Sequence, residues 1–105
     1  MRSIIQNDKD TCYVCKKHIA GSREEHHVFN GTANRKKSEE DGMKVYLHKT
    51  CHMWLHNHPI SNRTIKARCQ KIWQDYYKKS EEDFIKRYGK SYLWKELKWH
   101  KKKEY

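Results

Sequence analysis

The chain has 105 residues, 35% of them apolar, and carries 24 Lys and Arg against 13 Asp and Glu, a net charge of +11 with His neutral. That length allows one domain, or a small domain with a tail, and too little apolar surface for a large core, so a bound metal is a plausible staple. The cationic excess points to a polyanionic partner and away from a membrane surface, because no basic amphipathic segment is free of structural duty.

No stretch is long and apolar enough to span a bilayer, and residues 1–11 lack the apolar run of a signal peptide. The four cysteines do not resemble a secreted disulfide framework. A reducing, cytoplasmic setting is therefore expected, in which Cys-x-x-Cys holds metal or does redox work.

In chain order, a polar lead-in reaches Cys12-Tyr13-Val14-Cys15, a tight knuckle, and Gly21-Ser22 marks a turn. Residues 25–29 predict a short strand ending in Val28 and Phe29. Asn30 to Gly42 reads as a long polar loop with at most one helical turn, carrying the basic run Arg35-Lys36-Lys37. Lys44 to Leu47 alternates as a second strand. A helix from near Lys49 runs to about His56 and stops before Pro59.

Ser61 to Thr64 offers N-cap candidates for an amphipathic helix with Ile65, Cys69, Ile72, Trp73, Tyr76 and Tyr77 on its apolar stripe. Ser80 to Asp83 reads as a capping box, followed by Phe84, Ile85, Tyr88 and a C′ glycine, Gly89. The end of the chain mixes Tyr92, Leu93, Trp94, Leu97 and Trp99 with lysines and closes on Lys101-Lys102-Lys103. The expected class is α+β. A zinc-stapled ββα finger fills residues 1–60, and a helical extension with a basic tail, residues 61–105, packs on it as part of one domain.

Zinc favours four sulfur or nitrogen ligands in a tetrahedron, often as two short-spaced pairs. Cys12 and Cys15 make one pair, and His48 and Cys51 repeat its two-residue gap. Cys69 is the rival fourth ligand, although its place on an apolar stripe suits a small hydrophobe, and His18 is a further candidate. A thioredoxin-like role for the knuckle lacks a surrounding βαβ pattern.

His26 and His27 are neighbours on a strand and face opposite ways, so one can ligate a metal while the other addresses a water molecule. His52 and His56 stand one helical turn apart, a spacing that suits two ligands to one ion. The run His52-Met53-Trp54-Leu55-His56 lacks the glutamate of a zinc protease, with Met53 in its place. Cys51 and His52 lie about 100° apart around the helix, so each can face a different metal.

Paired knuckles bracketing His26-His27, with Val28-Phe29-Asn30-Gly31-Thr32-Ala33-Asn34-Arg35 and then Cys51-His52, resemble the HNH, or His-Me finger, endonucleases. The likeness is to the small stand-alone HNH proteins of phage and prophage genomes, and it spans most of the chain from Cys12 to Leu93. It implies a ββα-metal fold and metal-dependent hydrolysis of DNA phosphodiester bonds, by nicking or double-strand cleavage, to 5′-phosphate and 3′-hydroxyl ends. It implies His26, His52 and His56 as ligands of a catalytic Mg²⁺, Mn²⁺ or other divalent transition metal, and His27 as general base. Asn34 is the candidate for the family's asparagine, with Asn30 second, since Asp41-Gly42-Met43 holds none where many relatives place it. His48 stands where a cysteine is usual, yet remains a competent zinc ligand. Arg35, Lys36 and Lys37 are expected on the DNA backbone, and the protein is expected to be a monomer or homodimer. A non-catalytic zinc-dependent DNA-binding module and an RNA-directed nuclease are the alternatives.

Overall fold

Two strands and four helices follow one another as β1 (Glu24–His27), α1 (Thr32–Asp41), β2 (Lys44–Leu47), α2 (Lys49–His56), α3 (Pro59–Tyr77) and α4 (Glu81–Tyr88). The structure, a computed structural model, describes residues 2–93. Trp94, Leu97, Trp99, His100 and the Lys101–Lys103 tail lie outside the described residues. The chain is thus a small α+β protein with one two-stranded antiparallel sheet among its described residues. Glu24 pairs with Leu47, Glu25 with Tyr46, His26 with Val45 and His27 with Lys44. Opposed residues share a face, so His26 and Glu24 lie with Val45 and Leu47, whereas His27 and Glu25 lie with Lys44 and Tyr46.

The segment expected to be a loop is instead the ten-residue helix α1. The expectation failed because α1 has no apolar stripe: its buried residues are Ser38 and Asp41. Polar contacts hold it. Ser38 Oγ donates to the Phe29 carbonyl at 2.7 Å and accepts from the Phe29 N–H at 3.1 Å. Gly42 ends the helix with φ 73°. A Cβ there would stand 2.7 Å from the Arg2 carbonyl oxygen, so glycine is required both for its left-handed backbone and for the close approach.

Asp41 is the polar hub of the helices. Its carboxylate accepts from Trp73 Nε1 at 2.8 Å, Tyr88 OH at 2.7 Å and Arg87 Nε at 2.8 Å, and its carbonyl accepts from Tyr77 OH at 2.8 Å. One residue therefore ties α1 to α3 and α4. Beneath it, Phe29 meets Phe84, Tyr88 and Tyr92 with ring centroids 5.0, 4.7 and 5.5 Å away. A single core joins Val28, Met43, Leu47 and Leu55 of the first half to Cys69, Trp73 and Phe84 of the second.

The amphipathic helix α3 starts at Pro59, before the Ser61–Thr64 cap candidates, because proline at a first helical position loses no hydrogen bond and fixes φ correctly. Cys69 and Trp73 are buried from its stripe, while Tyr76 is 57% exposed. The expected capping box is formed by Ser80 and Asp83, and Gly89 closes α4 in the left-handed region.

Asp41→Ala should cost about 3 kcal/mol or more, since it strands a buried indole N–H, a phenol and a guanidinium. Urea unfolding measures this; a change below about 1 kcal/mol would show that the helices are held elsewhere.

Candidate functional site

The knuckle is built by backbone bonds. Lys16 N–H donates to the Cys12 carbonyl and Cys12 N–H to the Lys17 carbonyl, both at 2.9 Å, with Lys16 turned to φ 66°. Tyr13 N–H docks the knuckle on the Tyr46 carbonyl of β2 at 2.9 Å. This brings Cys12 and Cys15 to the start of α2, where His48 is the N-cap residue and Cys51 lies in the first turn. One ligand atom from each of Cys12, Cys15, His48 and Cys51 lies within 4.8 Å of the others, so the four are positioned to bind a metal ion. The Cys₃His set suits structural zinc.

The imidazole of His48 is oriented for this. Its Nε2 donates to the His18 carbonyl at 3.0 Å, which leaves the Nδ1 lone pair facing Cys15 Sγ at 3.4 Å and Cys51 Sγ at 3.9 Å. His18 thus contributes its backbone, not its ring. Burial opposes ionisation of Cys12, yet the N–H groups of Cys15, His48 and Val14 bring its thiol down to about 6. Burial and the adjacent Cys12 and Cys15 sulfurs push Cys51 up to about 11, a repulsion that a cation among them would reverse. Cys69 is fully buried in the core, with its thiol pushed up to about 12 chiefly by burial, and does not join the four.

With Cys51 turned to the knuckle, His52 faces β1. His52 Nε2 lies 3.1 Å from His26 Nδ1, and its Nδ1 lies 2.7 Å from the Glu24 carboxylate. Glu24 thereby favours the tautomer with the proton on Nδ1, which leaves Nε2 to accept from His26 Nδ1–H. His56 follows one turn on, its ring 4.9 Å from His52 and 6.3 Å from His26. His26 is buried, and its Nε2 has no hydrogen-bond partner among the described residues. His26, His52 and His56 lie close together, but they are not among the groups whose ligand atoms all come within 4.8 Å of one another.

His27 points to the other sheet face. Its Nε2 is 2.8 Å from Glu39 Oε1, and Arg35 Nε approaches its Nδ1 at 3.5 Å. Arg35 and Glu39 reach it together because α1 sets them one turn apart. The His27 and Lys44 hydrogen bonds hold the Glu39 carboxyl down at about 2. Glu25, His27 and Glu39 also offer ligand atoms within 4.8 Å of one another, but Lys44 Nζ already bridges the two carboxylates at 3.3 and 2.9 Å.

The remaining predicted residues are dispersed. Asn34 Nδ2 donates to the Tyr88 carbonyl at 3.0 Å and Lys37 Nζ to the Arg87 carbonyl at 2.8 Å, both tying α1 to α4. Lys36 and Asn30 are exposed. Sequence reasoning missed Glu24 and Glu39. The period of β1 could have placed Glu24 beside His26, but Glu39 needed α1 to be recognised as a helix. Among the described residues no helix is long and apolar enough to cross a membrane. No protein-family model, curated protein or solved structure matches the chain.

The purified protein is expected to hold about one zinc per chain by metal analysis. Cys12→Ala should lose it, whereas Cys69→Ala should keep it; zinc lost with Cys69 and retained without Cys12 would overturn the ligand set.

Burial, and the cost of adding a positive charge beside His52, His56, Lys66 and His27, lowers His26 from its ordinary 6.5 to about 4 when no metal is bound. The unfolded chain then takes up this proton first, so the stability tied to neutral His26 is complete above about pH 6.5 and declines as pH falls toward 4. NMR of protein with only its zinc bound should show the His26 ring neutral at about pH 5.5. Protonation near pH 6.5 would mean that the ring is solvated.

Proposed function

We propose that the protein is a metal-dependent endonuclease of HNH type that hydrolyses DNA phosphodiester bonds, with His27 as general base. The observation that carries the reading is the gathering of His26, His52 and His56, with Glu24 bracing His52, next to a histidine that faces away and has its own carboxylate. Binding alone gives no reason for such a set. A net charge of +11 supports a polyphosphate substrate.

His26, His52 and His56 would hold a divalent ion, which when bound would supply positive charge to offset the negative charge that builds at the scissile phosphate. The chain's own residues do the rest. Glu39 accepts from His27 Nε2 and so keeps the proton there, leaving Nδ1 as the basic atom. Nδ1 takes a proton from the attacking water, and the Glu39 carboxylate offsets the charge that develops on the ring. Arg35 Nε lies 3.5 Å from Nδ1, a contact at the outer limit of a hydrogen bond. Its guanidinium is better matched to a phosphate oxygen, and moving onto one would uncover Nδ1 for the water. Asn34, already engaged with the Tyr88 carbonyl, would act by holding α1, and with it Arg35 and Glu39, against α4.

Supercoiled plasmid incubated with the protein and Mg²⁺, Mn²⁺ or Ni²⁺ should be nicked or linearised, and His27→Ala should slow this by about 10²-fold or more. No metal-dependent scission by the wild type on any DNA form would reject the nuclease. Salt-sensitive binding that persists without scission would leave a zinc-dependent DNA-binding module, and scission confined to RNA would change the substrate.

A further inference from the structure

A cleft of about 690 Å³ opens on the sheet face that carries His27. Its walls hold four cationic side chains, Arg2, Lys9, Arg23 and Lys44, against one carboxylate, Glu25, with Tyr46 as part of the floor. The strand register explains the placement: Lys44 is opposite His27 and Tyr46 is opposite Glu25, so all four stand on one face. Lys44 Nζ is 2.9 Å from Glu39 Oε2, and Glu39 Oε1 is 2.8 Å from His27 Nε2. The inner wall of the cleft and the imidazole of His27 are therefore joined through one carboxylate.

We propose that this cleft binds the phosphodiester backbone of duplex DNA beside the bond that is cut, through Arg2, Lys9 and Arg23. Its place next to the cut rests on reading His27 as the general base; its affinity for the backbone does not. Lys44 is already neutralised by Glu39 and Glu25. Arg23 is paired with Asp10 at 2.8 Å, but both side chains are well exposed, so the guanidinium exchanges readily onto a phosphate. Lys9 and Arg2 are exposed and are held in no ion pair among the described residues. Among the described lining residues the one aromatic, Tyr46, is 6% exposed and offers no platform for a base.

The test uses the full zinc-loaded chain without added Mg²⁺ or Mn²⁺, so that DNA stays intact. Anisotropy of a labelled duplex of about 20 base pairs, the site-sized length a small domain covers, is titrated at several salt concentrations. The triple variant Arg2→Ala/Lys9→Ala/Arg23→Ala should bind more weakly, and its log affinity against log salt should be shallower by about two to three, close to one for each phosphate no longer neutralised. A control of equal kind, Lys71→Ala/Lys79→Ala on the surface of α3 and beyond, removes charge away from the cleft and should leave the slope within about one of wild type. An unchanged slope in the triple variant, with zinc content and circular dichroism intact, would overturn the proposal. So would an equal loss in the control. Poly-glutamate bound more tightly than the duplex, and released by the triple variant, would assign the cleft to an acidic peptide and overturn it too. Should the wild type bind DNA with the expected slope yet cut nothing, the nuclease reading falls while the backbone contact stands.

Discussion

The convergence of Cys12 and Cys15 with His48 and Cys51 fixes the position of α2, and most of the candidate site depends on α2. That helix has eight residues, too few to persist alone, and only Leu55 is buried from it. Its direction is therefore set from its first turn. Once Cys51 is committed to the knuckle, the next residue in the helix is rotated by about 100° and must face β1. His52 meets His26 as a result, and His56 joins them one turn later. A metal at the knuckle would lock a rotation that the apolar core, with one leucine from this helix, specifies weakly.

Three imidazoles share a second feature. His48 gives one nitrogen to the His18 carbonyl, His52 to Glu24 and His27 to Glu39. Each partner selects a tautomer and turns the free nitrogen toward a defined neighbour. The acceptors differ in kind. A neutral carbonyl suffices where thiolates supply the charge, whereas the two rings near the expected phosphate each receive a carboxylate.

What could be read from residues alone follows physical range. The knuckles were legible because their short spacing is covalent geometry: two ligands with two residues between them reach one ion in almost any context. The opposite facing of His26 and His27 was legible from the strand period, and the α4 cap from Ser80 and Asp83. α1 was not, since helical reading relies on an apolar stripe and this helix is pinned by Ser38, Asp41, Asn34 and Lys37 through polar contacts to distant chain. Missing α1 also hid Glu39, and placed Lys37 among solvent-facing cations when its ammonium spans to the Arg87 carbonyl. The start of α3 was misjudged for a related reason: Pro59 ends one helix and begins the next, and only three-dimensional context separates the two uses.

The two faces of β1 divide the labour that the proposed chemistry requires. His26, with Glu24, looks toward α2; His27, with Glu25, looks toward α1 and the cationic cleft. Among the described residues β1 pairs only with β2, so no strand lies along its other edge. On the proposed reading, the scissile phosphodiester is approached from both faces of this one strand. The arrangement also keeps the base away from the ion. A histidine sharing the face of His26 would be a further ligand, with its lone pair consumed; placed on the opposite face and held by Glu39, His27 keeps that lone pair for a proton. The strand's alternation, a property of the backbone alone, is thus what allows adjacent residues of one type to do different work.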